Sequence, residues 1–196
     1  MSLTEIRLIV VSGLITNNIV LSQSLGICPF LGVSKKTDSA VGMGFAVTFV
    51  LLIASVVCWA LYTYVLQPLE IEYLQTIVFI LIIAVLVQIL DIVLKKLSPS
   101  LYNSLGVYLA LITTNCAVLG TANTVINEGY NILQTVIHSV SVGLGFTIAL
   151  ILMAGIRERI DNNAAIPKCF KGLPIALITA ALMAMAFAGF AGFDIV

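Results

Sequence analysis

Two cysteines, Cys28 and Cys116, are the residues of this chain best suited to chemistry. Cys28 stands in Gly26-Ile-Cys-Pro-Phe-Leu-Gly32 and Cys116 in Asn115-Cys-Ala-Val-Leu-Gly120, so both carry the pattern C-x-x-L-G. Each lies where an apolar helix ought to run on unbroken. Gly26 and Pro29 weaken the helix on either side of Cys28, and Thr113-Thr114-Asn115 precede Cys116 with side chains able to cap a fresh helix start. A disulfide between the two is chemically possible but gives no reason for breaking the helices. Two thiolates also make half of a zinc or iron–sulfur site, each of which takes four ligands. His138 is far in sequence from either motif and reads as a helix-packing residue with a local hydrogen bond. With no third ligand in sight, a second chain would supply two more cysteines. Cys58 and Cys169 have no counterpart in the pattern and read as small apolar fillers.

The elements that must hold these thiols are membrane helices. Of 196 residues, 61% are hydrophobic and 9% charged, and the mean hydropathy is +1.16, which points to a polytopic membrane protein. The zero formal net charge gives no indication of nucleic-acid binding. Four irregularly spaced cysteines are not the framework of a small secreted domain. No cleaved signal peptide is expected, because Glu5 and Arg7 replace a basic cluster and Asn17-Asn18 interrupt the apolar run.

At about 20 apolar residues per crossing, six spans are read: residues 3–31 (interrupted), 39–66, 71–94, 101–126, 131–156 and 173–193. Lys35, Lys36, Lys95, Lys96, Arg157, Arg159, Lys168 and Lys171 then share one face, opposite Arg7, Glu70, Glu72 and Glu128. Basic loops stay cytoplasmic, so both termini are expected on the outer side of the membrane.

The sequence also repeats itself. The C-x-x-L-G motifs fall in spans 1 and 4, and Val41-Gly-Met-Gly-Phe45 matches Val142-Gly-Leu-Gly-Phe146 in spans 2 and 5. Matching elements are three spans apart, an odd number, so the halves are inverted. The expected fold class is therefore all-α membrane protein: one integral membrane domain over 1–196, with six transmembrane helices in two inverted three-helix repeats (about 1–97 and 98–196) and breaks in spans 1 and 4. Inverted repeats place special sites near the midplane on discontinuous helices, and broken backbone there must be buried or line a cavity. Pro29 would suit the first position of a new half-helix. Cys28 is seven residues before Lys35 and Cys116 eleven before Asn127, depths of ~10 Å and ~16 Å from opposite edges at helical rise, so the thiols can meet. A thiolate cluster at that depth is anionic and costly; half-helix N-termini would offset the cost.

Other polar groups invite two readings each. Asn17, Asn18, Thr113, Thr114 and Asn115 are interhelical hydrogen-bond partners, or they line an ion path and satisfy backbone freed by the breaks. Asp91 reads as snorkelling toward Lys95 at i+4, in preference to a proton relay. Gly42, Gly44, Gly143 and Gly145 allow close helix packing, in preference to hinge motion. Arg157, Glu158 and Arg159 form a charged anchor at the end of span 5, or with Lys168 and Lys171 a docking point for a soluble partner.

The run Thr16–Lys36, "TNNIVLSQSLGICPFLGVSKK", together with "LITTNCAVLG" (residues 111–120) and "GIRERI" (residues 155–160), closely resembles the A-subunit family of the Rnf complex, along essentially the whole chain. That complex is an ion-translocating ferredoxin:NAD oxidoreductase. The related E subunit of the sodium-pumping NADH:quinone oxidoreductase is the near alternative. The resemblance implies a [2Fe–2S] cluster shared with a homologous E-type subunit of opposite orientation, each contributing two cysteines, here Cys28 and Cys116. Asn17, Asn18, Gly26, Pro29, Thr113, Thr114 and Asn115 would support the cluster or line the ion path. It implies as partners the other Rnf subunits (B, C, D and G) and Na+ or H+ as the ion, with electrons relayed across the membrane. The chain has no nucleotide fingerprint and no flavin attachment motif, so it would be one part of the enzyme without a complete active site. A secondary carrier without a redox centre and a purely structural scaffold are the rival readings.

Overall fold

The computed structural model describes residues 3–34, 37–69, 72–97, 111, 112, 115–161, 167 and 170–189. They form helices α1 (Leu3–Val11), α2 (Ile27–Val33), α3 (Thr37–Leu61), α4 (Gln75–Leu97), α5 (Cys116–Asn127), α6 (Ile132–Asp161) and α7 (Leu173–Ala188), with no strand among the described residues. α1 ends in a π-helical turn, Ser12–Thr16, and α3 runs on through another, Tyr62–Leu66.

Two helices dominate. The stretch Thr37–Leu66 and α6 are each 30 residues long and apolar, or ~45 Å at helical rise, enough to cross a bilayer. α4 and α7 contain shorter apolar stretches. Ile77, Ile80, Leu81, Val85, Ile89 and Ile92 of α4 are exposed, as are Leu173, Leu177, Leu182 and Met185 of α7. Contiguous apolar surface of this kind suits lipid or a neighbouring protein, and not water.

In lipid the helices gain little from apolar burial and associate through close packing. α3 and α6 pack along each other more extensively than any other pair, and their crossing shows how. A β-carbon on Gly44 would lie 2.5 Å from Thr147 Cγ2, and one on Gly143 would lie 2.6 Å from Thr48 Cγ2. Each glycine thus receives a threonine from the other helix. Because 44 meets 147 while 48 meets 143, the helices run antiparallel. Each threonine donates its hydroxyl proton to the carbonyl four residues back, Thr48 to Gly44 at 2.7 Å and Thr147 to Gly143 at 2.8 Å, so neither threonine hydroxyl is stranded at the crossing. Met43, Val47, Val50, Leu51 and Ala54 fill one side of this interface, and Phe146, Ala149, Leu150 and Met153 the other, all essentially inaccessible. Cys58 is buried in the same core, as a small filler would be. Gly145 admits α1, with a β-carbon there lying 2.7 Å from the Gly13 carbonyl oxygen. Gly42 departs from the expectation of close packing: nothing lies within 4 Å of its β-position, because it faces away from the crossing.

The α5–α6 turn is tightly specified. Gly129, at φ 64, supplies the left-handed residue that ends α5, with its N–H on the Ile126 carbonyl (3.0 Å) and that of Tyr130 on Val125 (3.1 Å). Gln134 accepts from the Asn131 N–H at 3.0 Å, the reciprocal half of a capping box opening α6. Trp59 Nε1 donates to the Tyr130 carbonyl at 2.8 Å, tying the turn to α3.

Candidate metal centre

Both cysteines lie in the first turn of a helix. α2 begins after Ser24 and Gly26, whose φ values of 56 and 79 turn the chain sharply. The Leu25 N–H reaches the Ile19 carbonyl at 3.0 Å and that of Phe30 reaches Gly26 at 3.3 Å. α2 starts at Ile27, so Cys28 is its second residue and Pro29 its third. Pro29 therefore does not take the first position expected from sequence. Its missing N–H still costs nothing, because the first-turn donors have no intrahelical partner. The interruption itself is longer than two weak points around Cys28, spanning residues 17–26.

α5 starts at Cys116, and Asn115 is its N-cap, accepting from the Ala117 N–H at 3.0 Å. This is the capping geometry anticipated for the Asn-Cys pair. Thr113 and Thr114 lie outside the described residues, as does Cys169.

The two helix starts abut. A β-carbon on Gly26 would lie 3.0 Å from Asn115 Oδ1, 3.2 Å from Ala117 Cβ and 3.1 Å from Phe146 Cε2. Cys28 follows the first of these contact residues by two positions, and Cys116 stands between Asn115 and Ala117. Only glycine fits here, both for its φ and for the closeness of the facing chain. Leu25 then fills the space over Gly120. Cys28 and Cys116 are both exposed, and neither is in a disulfide.

The residues present fit a thiolate-bound group in part. Among the described residues no three His, Cys, Asp or Glu side chains converge to hold a metal, so two exposed thiols are half of a four-ligand set. Asn115 is 4% exposed, and its Nδ2 has no hydrogen-bond partner among the described residues. A buried amide donor left over beside a cysteine suits a sulfur acceptor bearing negative charge.

Around this core the breaks are braced from α6. Asn18 is buried. Its Nδ2 donates to the Gly145 carbonyl at 2.9 Å and the Leu14 carbonyl at 3.3 Å, while its Oδ1 accepts from the N–H groups of Val20 (3.1 Å) and Leu21 (3.3 Å). The side chain thus replaces backbone partners lost at the break. Asn17 is exposed, and among the described residues its side chain reaches Ser12 Oγ, at 3.4 Å. At the far end of α2, Arg157 Nη1 donates to the Leu31 carbonyl at 2.7 Å and to Ser34 Oγ at 2.9 Å. Arg157 is buried, a cation at a helix C-terminus where the dipole favours it. This corrects the expectation of a solvated anchor; only the position of Arg157 at the end of an apolar span hinted at an inward role. Glu158 accepts from Thr37 Oγ1 at 3.1 Å. Asp91 lies on α4, but the side chain of Lys95 is outside the described residues. His138, expected to make a local hydrogen bond, stands edge-on to Tyr130 with ring centroids 5.4 Å apart, and its Nδ1 has no partner among the described residues.

A family model described as "Rnf-Nqr subunit, membrane protein" matches residues 6–194. The chain is 57% identical over 184 residues, 94% of its length and 95% of the relative's, to the A subunit of the Na(+)-translocating ferredoxin:NAD(+) oxidoreductase complex of Acetobacterium woodii. It is 52% identical over 188 residues to the A subunit of the ion-translocating oxidoreductase complex of Syntrophotalea carbinolica, covering 96% and 97% of the two chains. With the like-named protein from Vibrio cholerae El Tor it shares 53% over 190 residues, 97% and 98% of each.

Proposed function

The chain belongs to the Rnf-Nqr family of membrane subunits, and from that membership we propose that it is the A-type subunit of an ion-translocating ferredoxin:NAD oxidoreductase complex, holding half of an intramembrane [2Fe–2S] cluster through Cys28 and Cys116. One observation carries the cluster reading: two helices that start at separate places in the sequence meet at their first turns, through Gly26 against Asn115 and Ala117, and both turns present an exposed thiol. A purely structural pair of cysteines would be buried, as Cys58 is.

When bound, the cluster supplies one-electron relay between donors and acceptors on opposite sides of the membrane. The chain's own residues do the rest. Cys28 and Cys116 ligate, and a homologous subunit of opposite orientation provides the other two cysteines. Asn115 holds the start of α5 with Oδ1 and offers Nδ2 to sulfur. The N-terminal dipole of α5 favours negative charge at Cys116. Asn18 and Arg157 hold the two ends of the broken segment against α6. Pro29, buried under the same turn, stiffens it. The chain contributes to catalysis as one member of a redox-driven translocase, with the ion, Na+ or H+, carried by the assembly with the other Rnf subunits.

The arrangement in the membrane follows the same reading. Six spans form two inverted halves within one domain, with both termini outside the bacterial cytoplasmic membrane. The antiparallel Gly44–Thr147 and Gly143–Thr48 contacts support the inversion, since they exchange under a two-fold axis. They pair Gly44 with Gly143, a register two residues away from the alignment of the two Val-Gly-x-Gly-Phe segments.

The test is iron analysis and low-temperature spin resonance of the anaerobically purified complex. About two iron atoms per pair of partner subunits are expected at this site, lost in Cys28→Ser and in Cys116→Ser. Unchanged iron and full electron transfer in both variants would refute the cluster reading. A C-terminal reporter is expected to read outside; a cytoplasmic signal would refute the topology.

A further inference from the structure

The thiol centre leaves one polar cavity unused. It measures about 240 Å3 and opens beside the α5–α6 turn, between α5, α6 and the non-helical stretch that follows the π-helical turn of α1. Ser12, Asn17, Thr121, Thr124, Glu128 and His138 are in its wall.

Much of the wall can accept, while Gln23 and Tyr130, which also line it, can donate as well as accept. Thr121 and Thr124 commit their hydroxyl protons to the carbonyls of Ala117 (2.8 Å) and Gly120 (3.0 Å), so toward anything else they present lone pairs. Asn17 donates one amide N–H to Ser12 Oγ at 3.4 Å, and its carbonyl oxygen and second N–H are left for other partners. Glu128 is the one carboxylate among the described residues of the wall. A second, independent observation points to an occupant. His138 is 8% exposed, yet its Nδ1 has no partner among the described residues. Buried polar atoms are almost always satisfied, so the cavity's contents must satisfy this one.

We propose that the cavity binds a partly hydrated monovalent metal cation, with Glu128 and the hydroxyl and amide oxygens facing it and His138 engaged by its water. Hard oxygen donors suit alkali and alkaline-earth ions. Calcium sites gather several carboxylates and Mg2+ demands a near-ideal octahedron, whereas the single carboxylate here balances a single charge. A bare proton needs one acceptor and no cage of oxygens. The cavity also has depth. His138 is six residues past the start of α6 at Ile132, or ~9 Å along the helix. Thr121 is five residues past Cys116, or ~7.5 Å. The cavity therefore runs from the α5–α6 turn toward the level of the thiols, and its irregular wall is the kind of backbone that membrane interiors tolerate only beside a cavity. The inference rests on the reading of the chain as part of an ion-translocating complex, and assigns it a cation vestibule on the side of the membrane that the α5–α6 turn faces.

The test uses the intact complex in sealed vesicles carrying Val142→Cys, an apolar position of the wall that supplies no ligand, with Ile19→Cys as a second position should the first fail to assemble. The modification rate by a cationic methanethiosulfonate is measured in sodium, potassium or choline chloride at constant ionic strength, after subtracting that of the unsubstituted complex. With the metal ion at ten times its dissociation constant, occupancy slows modification ~10-fold relative to choline, and Glu128→Gln removes that protection. Rates equal in all three salts, or protection untouched by Glu128→Gln, overturn the proposal; so does a thiol that even a neutral methanethiosulfonate cannot reach. Iron content is read separately on the same samples. Absence of cation protection in the complex that retains Glu128, with iron intact, sinks the vestibule alone, and loss of the Cys28 iron dependence with protection intact sinks the cluster alone.

Discussion

Replacing Gly26 by alanine tests the contact between the two thiol-bearing helices. The cost has two parts. Gly26 sits at φ 79, where a β-carbon costs about 1–2 kcal/mol. That β-carbon would also lie 3.0–3.2 Å from Asn115 Oδ1, Phe146 Cε2 and Ala117 Cβ, none of them the free end of a long side chain, and overpacking of this kind costs ~1–3 kcal/mol. The total is ~2–5 kcal/mol. Two other glycines separate the parts. Gly129 shares the left-handed backbone, at φ 64, but has open space around it, so Gly129→Ala is expected to lose only the first ~1–2 kcal/mol. Gly155 lies inside α6 with nothing within 4 Å, so Gly155→Ala is expected to gain up to ~1 kcal/mol. Thermal unfolding of the solubilised complex ranks the three at ~2–4 °C per kcal/mol, and iron content reports on the thiols. Gly26→Ala is expected to be the least stable and the only one to lose iron. Should it unfold with Gly129→Ala and keep its iron, the two helix starts do not meet as described.

Three further outcomes follow from the supports. Asn115→Ser keeps a capping oxygen but removes the amide donor, so stability is expected within ~0.5 kcal/mol of the parent while the reduction midpoint falls; an unchanged midpoint would rule out donation from Nδ2 to sulfur. Arg157→Met leaves the Leu31 carbonyl and Ser34 hydroxyl without their donor and is expected to lose about 2–3 kcal/mol and to raise the reactivity of the Cys28 thiol, whereas Arg157→Lys recovers only part of this because one ammonium must replace a planar fork; equal melting of Met and Lys variants would contradict it. Gly44→Ala is expected to cost ~1–3 kcal/mol and to be rescued by Thr147→Ala, while Gly42→Ala, with open space at its β-position, costs nothing; additive losses in the double variant would disprove the crossing.

Much is legible in the residues alone. Composition and hydropathy identify a helical membrane chain because lipid demands internally satisfied backbone, and only long apolar helices offer it. The two C-x-x-L-G motifs mark the helix starts, since Asn before Cys116 is a cap by its own chemistry, and glycine before Cys28 tolerates a backbone that other residues resist. What pairwise spacing does not reveal is which distant groups satisfy the polar atoms a break sets loose. Arg157 looks like a surface anchor because its neighbours Glu158 and Arg159 are charged, yet it turns inward to α2. Gly42 and Gly44 look alike in sequence, and only the angle at which α3 crosses α6 makes one of them a contact. The unpartnered nitrogens of Asn115 and His138 likewise exist only in three dimensions. Local chemistry acts over a helical turn and is written in order along the chain; hydrogen bonds between residues more than a hundred positions apart, such as Arg157 to Leu31 and Asn18 to Gly145, are set by how the helices cross, and so become visible only once they have packed.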